Sequence, residues 1–538
     1  MIIRGFIFLS LCISLNLSAQ NFTRKDSLQG GFSKERMCFD VKHYHLNITL
    51  NIDKKHLSGY NEITFEPLEK TSKIQLDLFE NMQIDSIIFQ NKKVEFTREY
   101  NAVFIQFPTI LAPQTTQKLI FYYNGMPQIA KNAPWDGGFV FKNDSNGKPW
   151  VGVAVQGTGA SLWYPVKDGQ TDEPDWGAQI SVAVPNGLMN VSNGRFLGEK
   201  DLKNGYTRWD WEVKNPINNY NITLNVADYV EIKDKIDNLD LKYFVLRENV
   251  SKAKKHFEEV KTMMNCFQTK FGAYPFAEDG YKLVETPYLG MEHQSAVAYG
   301  NQYKKGYLGS DISGTGEGMF FDFIIIHETG HEWFGNSITS RDVADMWIHE
   351  GFTTYAESVY IECVKGYETA QKYINGQGKR VMNDRPVIGK FGVNNEGSGD
   401  MYNKGAMLLN TLRHIVNNDN QWWEILYKFS TAYKHKIIDT QTVITFFETE
   451  TKQKLAPIFA QYLNYKNIPK LDLQLTDNNL YFKWTADVQS FEMPVEITIK
   501  DKLLRLKPTT TWKRLPVSIQ SLDEISVHQQ KFYIKVTK

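Results

Sequence analysis

Cysteine is scarce in this chain. Of the four in 538 residues, Cys12 falls in the N-terminal apolar stretch, leaving Cys38, Cys266 and Cys363 at wide spacings. An odd, scattered set excludes a disulfide framework and a thiolate zinc cluster. Stability is therefore expected from apolar cores, and any metal from histidine and carboxylate ligands. An excess of charge is missing too. Lysine plus arginine number 61 and aspartate plus glutamate 61, which leaves no electrostatic footprint for nucleic acid and no basic membrane patch. No segment reaches the ~18 consecutive apolar residues that a membrane span needs. Low-complexity tracts and repeats of fixed period are also absent.

What the chain does have is length, enough for roughly three or four domains, and 13% aromatic residues. It opens with Arg4, the short apolar run GFIFLSLCISLNL and the small residues of LSAQ. That order reads as an export signal over 1–19, cut after Ala19, with a periplasmic or extracellular destination. A lipid anchor at Cys12 is disfavoured by the large Leu11 before it. Residues 20–36 form a polar leader. From 37 to 230 short alternating segments such as HYHLNITLNI, KIQLDLF, AVFIQF and KLIFYYNG predict a β-domain. His43 and His45, at period two, read as a half-exposed strand rather than a ligand pair. Helical spacing then takes over: SKAKKHFEEVKTMMNCFQTKFG, and the stretches 319–336, 343–365, 404–417, 421–434 and 440–464. These set 231–470 apart as a mainly helical domain. NYKNIPKLD breaks the helices, and 471–538 returns to strands as a small C-terminal β-domain. The fold class is multidomain α+β.

FFDFIIIHETGHEWFGNSI, residues 320–338, follows an apolar run with three ionisable groups that must be paired if buried. His327 and His331 are four apart, so on a helix they share a face and can hold one ion. Glu350, with eighteen residues between it and His331, supplies a carboxylate from a second helix. Two histidines, a carboxylate and an open position suit zinc, one ion per chain. Glu328 then stands within reach of a water on that ion as a general base. His349 points to another face than Glu350. Glu357, seven beyond Glu350, is a candidate to orient an imidazole. Upstream, PYLGMEHQSAVAYG carries Glu292 on an expected edge strand, where a carboxylate could hold a free ammonium. Downstream, GDMYNKGAMLL carries Tyr402 just before a helix, where a phenol could donate to an oxyanion.

At these residues the chain resembles the zinc aminopeptidases of the aminopeptidase N and leukotriene A-four hydrolase type, which are gluzincin metallopeptidases. The resemblance runs from about 37 to 470 through HExxH–eighteen residues–Glu, HEWFGN, WIHEGFTTYAE, LGMEH, YNKGA and VQGTGASLWYP. It implies a β-saddle N-terminal domain, a thermolysin-like α/β catalytic domain and a short closing β-domain, with no room for the large helical domain of longer members. It also implies amine contacts from Glu292 and Gln156, backbone contacts around Gly290 and Met291, and a catalytic Tyr402. Leu289 and His293 depart from the family's Gly and Asn in the GxMEN segment, which bears on the backbone contacts to substrate and on the first side-chain pocket. The expected substrates are peptides with free N-termini, handled by a monomer or weak oligomer. The competing readings are a thermolysin-like endopeptidase, which gives Glu292 no task, an additional epoxide hydrolase activity, and a binding protein with a decayed zinc site.

Overall fold

The computed structural model describes residues 22–30, 32–155 and 157–538. The expected export signal lies outside them. The leader carries two short helices, α1 (Arg24–Gln29) and α2 (Lys34–Met37), capped by Thr23 and Ser33. Arg36 of α2 is fully buried, where a lone charge would be costly, and it pairs with Asp77 at 2.8 Å. That pair ties the leader to the β-domain.

The N-terminal domain is built on an eight-stranded sheet. Its order is Arg195–Asp201, Tyr206–Val213, Ala178–Pro185, Phe39–Asn51, His56–Pro67, Gln117–Gly125, Met82–Phe89 and Lys92–Lys93, with smaller sheets of four and three strands beside it. The long strand Phe39–Asn51 shows how sequence sets the face. Phe39 and Val41 are buried, then Tyr44, Leu46, Ile48 and Leu50. The alternation slips by one residue where the register against His56–Pro67 shifts between Val41 and His43, a bulge that keeps apolar side chains inward. His43 and His45 sit half-buried on this strand.

The next sheet positions the site. Its order is Tyr229–Ile236, Leu239–Leu246, Tyr281–Glu285, Val297–Tyr299 and the edge strand Gly290–Met291. Its strands are apolar on both faces because each face meets a different core. Leu241, Tyr243, Val245, Tyr281, Leu283, Val297 and Tyr299 turn into the helical core. Phe244, Leu246, Val284, Ala298 and Met291 turn into the core of the N-terminal domain.

The helices on the first face are α3 (Val250–His256), α4 (Glu259–Phe271), α5 (Phe323–Gly330), α6 (Trp347–Lys365), α7 (Tyr367–Gly378), α8 (Asn403–Val416), α9 (Asp419–Ala432), α10 (Thr440–Thr451) and α11 (Ala456–Leu463). Four differ from the sequence reading, the first being SKAKKHFEEVKTMMNCFQTKFG, which breaks at Phe257 into α3 and α4. The stretch 319–336 is α-helical only over α5; a wide turn follows, and the backbone leaves helical geometry at Phe334 and Gly335. The stretch 440–464 is two helices, because Lys452 adopts a left-handed conformation that ends α10. YETAQKYINGQG, with two glycines near its end, forms α7, which the sequence reading lacks. Cys266 of α4 and Cys363 of α6 form a disulfide. The sequence reading excluded a disulfide framework and did not foresee this single bridge, which packing makes between cysteines 97 residues apart. Cys38 remains a free, buried thiol.

The C-terminal region forms a four-stranded sheet in the order Lys513–Pro516, Asn479–Thr485, Lys470–Thr476 and Lys535–Thr537, and a three-stranded one. Leu471, Trp484 and Phe491 join the same apolar core as α4 to α11. No helix among the described residues is long and apolar enough to cross a membrane.

Candidate metal centre

Helix α5 begins at Asp322, whose carboxylate accepts from the backbone N–H of Ile324 and Ile325. The same carboxylate accepts from Tyr299 at 2.7 Å and Asn301 at 2.8 Å and faces His256 at 2.7 Å. The cap fixes where the helix starts, and therefore which face His327 and His331 share. After His331 the chain makes one wide turn, with Asn336 N–H reaching back to the carbonyl of His331 at 2.9 Å. Gly335 permits it; a side chain there would approach His331 Nδ1.

His327, His331 and Glu350 are buried, and their donor atoms lie within 4.8 Å of one another. Glu350 Oε2 stands 3.5 Å from His327 Nε2 and 3.4 Å from His331 Nε2. Ligands at ~2.0–2.1 Å around a tetrahedral ion are about 3.3–3.4 Å apart, so the donor set is compatible with zinc. The other ring nitrogens are already used. His327 Nδ1 faces Glu357 Oε1 at 2.7 Å and His331 Nδ1 faces the Phe334 carbonyl at 3.0 Å. Both partners can only accept, so each Nδ1 carries the proton and each Nε2 presents a lone pair to the cluster. Glu357 is itself held by Tyr373 and Gln377 of α7, both at 2.6 Å.

Glu328 lines the same cleft, about 280 Å³ in volume, together with Glu292, Gly290 and Tyr402. Burial, partly offset by His327, pushes its carboxyl up to about 7. Glu292, Glu328 and His331 form a second group of donor atoms within 4.8 Å. Two groups that the sequence reading did not find fix Glu292: Tyr220 of the N-terminal domain donates to its carboxylate at 3.2 Å, and Asn336 donates to its carbonyl at 2.8 Å. Gly290 runs so close to α5 that an added Cβ would fall 2.9 Å from Glu328 Oε1. The Met291 side chain packs into the N-terminal core, leaving only its backbone for the cleft. Gln156 lies outside the described residues. His293 is buried with neither ring nitrogen bonded, and burial lowers its pKa to about 3. His349 turns away and accepts from Ser340 N–H at 2.8 Å.

Tyr402 stands at the head of α8 with its ring stacked on His327, centroids 6.1 Å apart. Burial, then Glu350 and Glu292, push its phenol well above the ordinary range, so it keeps its proton and remains a donor. A pair of glycines determines how near it comes. A Cβ on Gly405 of α8 would fall 2.8 Å from Cα of Gly351 of α6. Glycine at both positions lets the two backbones touch, bringing the start of α8 against the turn that carries Glu350. Neither glycine signals this contact in sequence, because only the folded pair makes it.

Comparison with known proteins agrees with this geometry. The Peptidase M1 N-terminal domain matches residues 40–220, and the Peptidase family M1 domain matches residues 255–462. The leucyl aminopeptidase of Saccharolobus solfataricus is 22% identical over 326 residues, 59% of this chain and 38% of that protein. Leucine aminopeptidase 2 of Vanderwaltozyma polyspora is 22% identical over 84% of this chain and 70% of its own. The chain thus spans well under two thirds of the first of these relatives. Among solved structures, the M1 zinc metallopeptidase of Deinococcus radiodurans superposes with a TM-score of 0.67 at 19% identity, covering 82% of this chain and 98% of that one.

Proposed function

The chain belongs to peptidase family M1, and on that footing we propose that it is an exported zinc aminopeptidase that removes the first residue of peptides with free N-termini. One observation carries the reading: Glu292 presents a carboxylate oxygen within 4.8 Å of donor atoms of Glu328 and His331. A carboxylate fixed that close to a hydrolytic centre suits a substrate whose ammonium and first carbonyl are separated by a single carbon.

His327, His331 and Glu350 would hold the zinc. When bound, the ion supplies a Lewis acid that polarises the scissile carbonyl and lowers the pKa of water. Glu292 holds the α-ammonium, a task the family resemblance also gives Gln156, and Gly290 and Met291 offer the backbone of an edge strand to the peptide. Glu328 accepts a proton as water attacks the carbonyl carbon and passes it to the leaving nitrogen. The Tyr402 phenol donates to the carbonyl oxygen as charge builds there. Export is supported by the N-terminal charge and apolar pattern and by the Cys266–Cys363 disulfide.

The test is a panel of aminoacyl reporter amides beside their N-acetyl counterparts, with and without a zinc chelator. Turnover of the free amines only, lost on chelation and restored by zinc, is the expected result. Equal cleavage of the acetylated set would replace this reading with an endopeptidase.

A further inference from the structure

Glu292 sits between two anchors. On one side, the Met291 side chain packs into the N-terminal core. On the other, residues 293–296 form a turn, closed by the Ala296 N–H donating to the His293 carbonyl at 2.9 Å. Ser295, the third residue of that turn, is buried and adopts φ 55. Glycine takes that left-handed conformation freely, and other residues take it at a cost. A serine stays there only because its surroundings hold it. Its hydroxyl accepts from the Gly194 N–H of the N-terminal domain at 2.9 Å. Its own N–H donates to Glu332 Oε1, also at 2.9 Å.

Glu332 follows His331 directly and opens the wide turn after α5. It is buried, and its second oxygen accepts from the Tyr274 hydroxyl at 2.8 Å. Asn336, at the end of the same turn, donates to the Glu292 carbonyl at 2.8 Å and lies 3.4 Å from Glu332 Oε1. The segment that carries His331 thus grips the amine loop at two points, the carbonyl of Glu292 and the N–H of Ser295.

Building on the aminopeptidase reading, we propose that Glu332 is a positioning residue that fixes the gap between the ammonium anchor and the hydrolytic centre. It thereby confines the enzyme to substrates with one carbon between ammonium and scissile carbonyl. The bond from Ser295 is shielded from water and ties the turn beside Glu292 to the residue beside His331. Without it, the Ser295 N–H is left unpaired inside the protein, and a serine in the left-handed region relaxes. Glu292 then gains travel relative to the zinc ligands, and the limit on spacing loosens. A displacement of about 1 Å near a reacting bond can change its rate by about 10²-fold.

α-Alanyl and β-alanyl reporter amides differ by one methylene between ammonium and carbonyl, and the N-acetyl-alanyl amide lacks the ammonium. All three are run on the zinc-loaded full chain and on Glu332→Leu, Glu332→Gln and Tyr274→Phe. In the wild type, α-alanyl is expected to exceed β-alanyl in kcat/KM by about 10²-fold. Glu332→Leu should bring that ratio below about tenfold with zinc content unchanged. Glu332→Gln should restore most of it, because its amide oxygen still accepts from Ser295 and its nitrogen donates to the Tyr274 oxygen. A merely structural Glu332 would instead lower kcat/KM for both alanyl amides together.

An unchanged ratio in folded, zinc-loaded Glu332→Leu overturns the proposal. If Glu332→Leu does not fold, Tyr274→Phe decides, since it frees one end of the carboxylate alone: a ratio lowered by about threefold or more is expected, and an unchanged one overturns the proposal. So does a wild type that takes β-alanyl as readily as α-alanyl. Each of these outcomes, with the acetylated amide still refused, rejects Glu332 alone. Turnover of the acetylated amide on a par with the free amine, or of none of the three, rejects the aminopeptidase reading and this proposal with it.

Discussion

Glu357 Oε1 lies 2.7 Å from His327 Nδ1 while its other oxygen takes hydrogen bonds from Tyr373 and Gln377 at 2.6 Å. A residue on α6 thus links an imidazole of α5 to a helix that supplies no donor to the cluster. Glu357→Gln should weaken zinc retention by about 10–100-fold, the usual scale for such partners. Chelator competition with the purified protein measures it. Retention equal to wild type would limit Glu357 to packing.

Glu328→Gln should keep zinc, since no ligand changes, and lose about 10²–10⁴ in kcat as a missing general base. Metal analysis and single-turnover kinetics read the two halves of the claim. Wild-type turnover would assign the proton transfer elsewhere.

Tyr402→Phe keeps the ring that stacks on His327 and removes only the phenol. If that phenol donates to the developing oxyanion, kcat and kcat/KM should fall together by about 10²–10³ while KM barely moves. The thermal midpoint and zinc content should match wild type. Nearly full kcat would leave Tyr402 a packing residue.

Glu292→Ala removes a contact made to the ammonium in both ground and transition states. Its effect should be mainly a rise in KM, about tenfold or more, given ~1.5–3 kcal/mol for a charge-assisted hydrogen bond. The measurement is KM for a free-amine peptide. A KM that stays put removes Glu292 from amine binding.

Gly405→Ala introduces a methyl 2.8 Å from Gly351 Cα, against backbone that cannot swing aside. Overpacking of this kind costs about 1–3 kcal/mol. A lower thermal midpoint together with reduced kcat is expected, because Tyr402 heads the displaced helix. A variant as stable and as active as wild type would show that α6 and α8 can separate without consequence.

Sequence made parts of this site readable because they depend on local periodicity. His327 and His331 share a face by the four-residue spacing. Glu292 could be assigned to an edge strand from the glycine and β-forming residues around it. What stayed hidden depends on the folded chain. The apolar rhythm of 319–336 continues past His331, and nothing in it declares that the backbone will leave helical geometry at Phe334 and Gly335. The hydrogen bonds to Glu357 come from α7, whose glycines obscured the helix. Cys266 and Cys363 meet only because α4 packs on α6, and Tyr220 reaches Glu292 from another domain.

That last contact has a consequence for what the molecule can discriminate. The edge strand that ends just before Glu292 is gripped from one side by the N-terminal core through Met291, and the Glu292 carboxylate is steadied by Tyr220. The prospective zinc ligands, in contrast, all hang from α5 and α6. On the proposed reading, bond-breaking capacity resides in one body of the protein. Telling the end of a peptide from its interior is a property of the seam between two bodies. Sequence drift along that seam could change which chain ends are accepted while leaving the hydrolytic machinery intact.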